Sequence, residues 1–145
     1  RPGKYVVGAS YLYETNDGSE FRQEIGWDLW TRPWKPFSLQ GRSSYSLRTS
    51  GWMEHDYSAE LGPFRSARIF LNLQYVSFRD FFTGHSNSAF DFTATGLDED
   101  ETMLSVGGTV EYPVLDNLPV FIEYRNYSYD IAGGADYYGG GCRWY

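Results

Sequence analysis

Apolar and polar residues alternate along most of this chain with the two-residue period of a β-strand. From Phe21 to Leu29, the side chains of Phe21, Ile25, Trp27 and Leu29 fall on one face. Arg22, Glu24, Gly26 and Asp28 fall on the other, and Gln23 is the one polar residue on the apolar side. The preceding stretch groups Tyr5, Val7, Ala9, Tyr11 and Tyr13, with rings toward its ends and small aliphatic residues between them, and Asp17-Gly18 supplies a turn. Residues 4–30 therefore predict one long hairpin.

The rhythm continues after Arg32-Pro33-Trp34-Lys35-Pro36, where two prolines interrupt it. Phe37, Leu39, Gly41, Tyr45 and Leu47 oppose Ser38, Gln40, Arg42, Ser44 and Ser46, with Ser43 an exception on the apolar side. Thr49-Ser50-Gly51 turns the chain. Met53, Tyr57, Ala59 and Leu61, with His55 among them, then oppose Glu54, Asp56, Ser58 and Glu60 as far as Gly62-Pro63. Ala67 to Phe78 alternates again, and Arg79 to Ser88 is the longest irregular stretch. Phe90 to Thr93 predicts a short, weak strand. Leu104 to Tyr112, Val120 to Tyr129 and Tyr138 to Trp144 alternate too, separated by turns at Asp116-Asn117 and Gly133-Gly134. About nine segments result, none with helical periodicity. They predict one all-β domain over 1–145, an antiparallel up-and-down β-barrel (meander) of about 8–10 strands.

Composition narrows this. Aromatic residues are 19% of the 145, with 13 Tyr and 5 Trp, yet mean hydropathy is negative, so apolar residues are interleaved and not gathered into runs. No window approaches the roughly 18 apolar residues of a membrane-spanning helix, so any crossing of a bilayer has to be made by strands. The net charge of −7 argues against nucleic acid as a partner. Ten Arg against two Lys favours cations paired with carboxylates in confined places. The single cysteine, Cys142, allows no intrachain disulfide and no thiolate metal site, and reads as a small apolar residue. The chain opens at Arg1 without a signal-peptide pattern, as expected of a trimmed leader or of a piece of something longer.

Alternation does not say which face is enclosed. Rings placed at the ends of the apolar face, at Tyr5, Tyr13, Phe37, Tyr45, Tyr75, Tyr112, Tyr138 and Trp144, match the girdles of a membrane barrel. The opposite face carries both signs, at Arg22, Glu24, Asp28, Arg42, Glu54, Glu60, Arg68, Glu111, Glu123, Arg125 and Arg143, which inside a lumen could neutralise one another. With this alternation, these rings and the terminal YYGGGCRWY, the chain resembles bacterial outer-membrane β-barrel proteins as a class. The resemblance implies a bacterial outer-membrane location, a lipid bilayer as partner, possible membrane or periplasmic protein partners, and a terminal strand that serves as an insertion signal.

Candidate chemistry is sparse. His85 lies in Gly84-His85-Ser86-Asn87-Ser88, a stretch that distantly resembles outer-membrane lipid A deacylases, which carry His and Ser two apart on one strand face; here the serines are one and three away. His55, among apolar neighbours, reads as a packing residue. Asp98-Glu99-Asp100-Glu101 lacks the spacing and glycine of a calcium loop and reads as a solvated turn. Gly139-Gly140-Gly141 has no following lysine or helix and reads as a strand that packs closely. No catalytic residue, metal site or cofactor is expected. The leading expectation is a structural, scaffold or adhesive barrel, or a narrow porin-like pore. The alternatives are a soluble lipocalin-like barrel that turns Phe21, Trp27, Phe37 and Leu71 inward around an apolar molecule, and a membrane-embedded lipid hydrolase using His85.

Overall fold

The computed structural model describes residues 3–16, 19–80 and 100–144, with the side chains at 16 and 19–21 left out. It holds eight strands: β1 (Lys4–Asn16), β2 (Ser19–Trp34), β3 (Phe37–Ser46), β4 (Gly51–Phe64), β5 (Ala67–Ser77), β6 (Thr102–Leu115), β7 (Leu118–Tyr129) and β8 (Gly133–Cys142). They form one antiparallel meander in sequence order. The ladder begins at β1 and stops at β8, and no pairing of these two strands closes it. Phe90 to Thr93, the weak strand of the sequence reading, lies outside the described residues, as do His85 and the Asp17-Gly18 turn.

The two ends of the sheet differ. At one end the strands are joined by two-residue turns, Lys35-Pro36, Arg65-Ser66 and Asp116-Asn117. Each has a register shift beside it, between Thr31 and Trp34, Leu61 and Phe64, and Pro113 and Leu115. The prolines explain the shifts, because a residue without an N–H is tolerated in a sheet at a bulge or an edge. Strands expected to stop at Arg32 and Gly62 therefore run on through Pro33 and Pro63 to Trp34 and Phe64. Arg65 and Ser66 both take positive φ, at 49° and 77°, the primed geometry that matches strand twist. At the other end β1 and β2 are also two residues apart, but the three remaining connections are longer, with β5 and β6 separated by residues 78–101. Lys4 pairs with Arg32 and Cys142 with Val120, so β1 starts and β8 finishes at the two-residue-turn end.

Registered partners share a face, so the ladders define two sets of rows. Trp27, Ser43, His55, Tyr75 and Leu104 make one apolar-side row. Gly8, Asp28, Arg42, Asp56, Gln74 and Ser105 make one polar-side row. A bulge corrects the sequence reading in β4. Tyr45 pairs with Trp52, and Ser44 with Glu54, so Trp52 takes the place on the apolar side expected for Met53. Met53 is withdrawn completely, and it is the only buried apolar side chain among the described residues.

Candidate functional site

The charged face comes first. Arg22 and Glu24, two residues apart on β2, form a forked ion pair, with Arg22 Nη2 donating to Glu24 Oε2 at 2.7 Å. Arg42 on β3 reaches Glu54 on β4 at 3.2 Å, Arg125 reaches Glu123 on β7 at 3.5 Å, and Arg143 reaches Glu111 on β6 at 3.5 Å. Arg143 also lies over the Phe121 ring, 5.2 Å from its centroid. These account for eight of the eleven charged residues singled out from the sequence. The other three, Asp28, Glu60 and Arg68, make no ion pair or hydrogen bond among the described residues, although Asp28 stands opposite Arg42, and Arg68 opposite Glu111, in the ladders.

On the other face the expected interface rings, Tyr138 apart, divide into two levels. Tyr5, Phe37, Tyr112 and Trp144 lie toward the two-residue turns, and Tyr13, Tyr45 and Tyr75 toward the other end, whereas Tyr138 stands near the middle of β8, in the register row that runs through Tyr124, Leu71 and Thr31 to Tyr5. Several gain neighbours that the pattern did not single out. Trp34 stacks on Phe37 at 5.1 Å, Trp52 meets both Trp27 and Tyr45 edge to face at 5.1 Å, and Tyr124 lies 5.1 Å from Tyr138. Large apolar side chains on this face are exposed along the whole sheet, from Tyr5 and Val7 on β1 through Leu71, Val106 and Ile122 to Tyr138.

One polar cluster interrupts that apolar side. Ser43 Oγ is 2.7 Å from His55 Nδ1 and 2.7 Å from the Tyr57 hydroxyl, and Trp27 Nε1 donates to the same hydroxyl at 3.4 Å. The imidazole sits between the rings of Trp52, at 4.8 Å, and Tyr75, at 5.5 Å. Ser43, the apparent exception in the alternation, is thus satisfied by cross-strand partners and is only 2% exposed. Gln23, the other exception, donates to the Tyr11 hydroxyl at 2.9 Å. Sequence reasoning missed the cluster because its members come from β2, β3 and β4.

At the end with the longer connections, the Glu101 carboxylate is 1% exposed and accepts the backbone N–H groups of Ile131 and Ala132. The Glu101 carbonyl accepts from Phe78 N, and Thr102 Oγ1 donates to Asp130. The last residue of the acidic stretch is therefore a structural anchor; Asp98 and Glu99 lie outside the described residues. No group of three His, Cys, Asp or Glu side chains among the described residues is placed to hold a metal ion.

No protein-family model, no curated protein and no solved structure matches this chain.

Proposed function

We propose that the chain is a β-barrel of the bacterial outer membrane with a charged interior and a structural or scaffold role without catalysis. The observation that carries this reading is an inverted distribution of polarity. Met53 is the one buried apolar side chain among the described residues, whereas Glu24, Ser46, Glu101 and Ser105 are all buried. A soluble domain hides its apolar surface and exposes its charges, and a contiguous apolar surface on this scale needs a cover. Lipid supplies one.

Three further features agree. Tyr5 and Tyr13 are eight residues apart, about 26 Å along a strand, and a tilt of about 40° brings that to about 20 Å, near the height of the apolar band of such barrels. Two-residue turns throughout one end, against three longer connections out of four at the other, agree with the asymmetry of the class. Eight is an even number, so β1 and β8 run antiparallel and can pair with each other. Open edges are not tolerated in hydrocarbon, because each unpaired N–H and C=O there costs several kcal/mol. Closure of β1 on β8 removes both edges.

The test is partitioning combined with gel mobility before and after heating. A chain that needs detergent and shifts on heating supports the reading; a monomer soluble without detergent overturns it.

The contact between Ser43 and His55 supports a second reading, hydrolysis of lipid esters with Ser43 as nucleophile and His55 as base. The pair sits at ring level, where lipid esters lie. Against it stand the burial of Ser43, the bond it shares with Tyr57, and the lack of a carboxylate bonded to His55 among the described residues. Esterase activity that disappears in Ser43→Ala would favour it over the structural role.

A further inference from the structure

The polar face is not uniform along its length. Toward the longer connections it is packed: Glu24 is 8% exposed, Ser46 4% and Met53 0%. Nearer the two-residue turns it opens, and Asp28, Arg32, Gln40, Arg42, Asp56 and Arg68 are all exposed. Two cavities fill this open half. One, of about 620 Å³, lies against the row of Asp28, Arg42 and Asp56. The other, of about 460 Å³, lies between Arg32, Glu60, Phe70 and Asn72. They share Trp30, Gln40 and Ser58 and so form a single trough that descends toward the two-residue turns.

Charge tells the same story. At the packed end Arg22 is forked onto Glu24, and Arg42 leans toward that end to reach Glu54. In the open half, Asp28, Asp56, Glu60 and Arg32 have no ion pair or hydrogen bond among the described residues. A buried charge without a partner costs several kcal/mol, so these groups persist as ions only where water reaches them.

We infer that the interior is a blind polar vestibule, open at the end that bears the two-residue turns, sealed at the other, and able to admit small hydrophilic solutes without passing them through. This rests on the membrane-barrel reading above. A narrow barrel of eight strands is ordinarily filled by its own side chains. Here the filling is confined to one half.

The experiment uses single cysteines in a Cys142→Ser background, with a membrane-impermeant trimethylammonium methanethiosulfonate as the probe. In the folded protein, Gln40→Cys and Ser58→Cys should react at least about tenfold faster than Ser46→Cys and Met53→Cys, because a packed site reacts only when it opens. Two sites in each half keep the comparison alive if one variant fails to fold. The same protein in a planar bilayer should show no stepwise conductance in potassium chloride. Equal reaction rates at the two levels, or stepwise conductance, overturn the vestibule while a retained heat shift leaves the barrel standing. Loss of the heat shift in the parent protein overturns the barrel reading and the vestibule with it.

Discussion

Glu101 Oε1 accepts the backbone N–H of Ile131 at 2.7 Å, and its second oxygen accepts that of Ala132 at 3.0 Å. One buried carboxylate at the start of β6 thus holds the β7–β8 connection, thirty residues further along. Glu101→Ala leaves two amide donors without a partner and should destabilise the folded state by about 2–4 kcal/mol. Glu101→Gln retains one acceptor oxygen and should cost less. Urea unfolding of the three proteins, followed by tryptophan fluorescence, gives the order; equal stability of parent and alanine variant would show that water replaces the carboxylate.

Leu71 and Asn72 are neighbours on β5 whose side chains fall on opposite faces. If lipid covers the apolar face, Leu71→Arg should cost about 2–4 kcal/mol in folding into vesicles, and Asn72→Arg much less. Folding yields in phosphatidylcholine vesicles compare them directly. The reverse order would place the polar face outward.

Ser43, His55 and Tyr57 satisfy one another across β3 and β4. Ser43→Ala and His55→Ala should each cost about 1–2 kcal/mol, and the double variant should fall short of their sum by about 1 kcal/mol, because the second change removes a bond already lost. Additive losses in a double-mutant cycle would mean that the two side chains act separately.

The Tyr57 ring lies across Gly41, where an added Cβ would come within 2.1 Å of it. Gly41→Ala should displace the ring and lower stability by about 1–3 kcal/mol. Pairing it with Tyr57→Ser, which removes the ring, should make the glycine change nearly neutral. A Gly41→Ala protein as stable as the parent would show that the ring has room to move aside.

The sequence by itself determined the strands and their two faces. Side chains alternate because the extended backbone leaves no other choice, so Ile25, Trp27 and Leu29 part from Glu24 and Asp28 whatever the rest of the chain does. Turns at Thr49-Ser50-Gly51 and Asp116-Asn117 were legible for the same local reason. Pro33 and Pro63 misled, since a proline at a bulge looks in sequence like a strand end. What only the tertiary structure decided depends on register between strands, which no local pattern carries. A one-residue shift exchanged Met53 for Trp52 on the apolar side. Pairing brought Ser43 to His55 and Arg42 to Glu54, and left Asp28, opposite Arg42, without an ion pair among the described residues. Glu101 became an anchor because folding delivered the amides of Ile131 and Ala132 to it. Period two makes the two faces of a strand different; the cross-strand contacts decide which groups on each are packed and which stay wet.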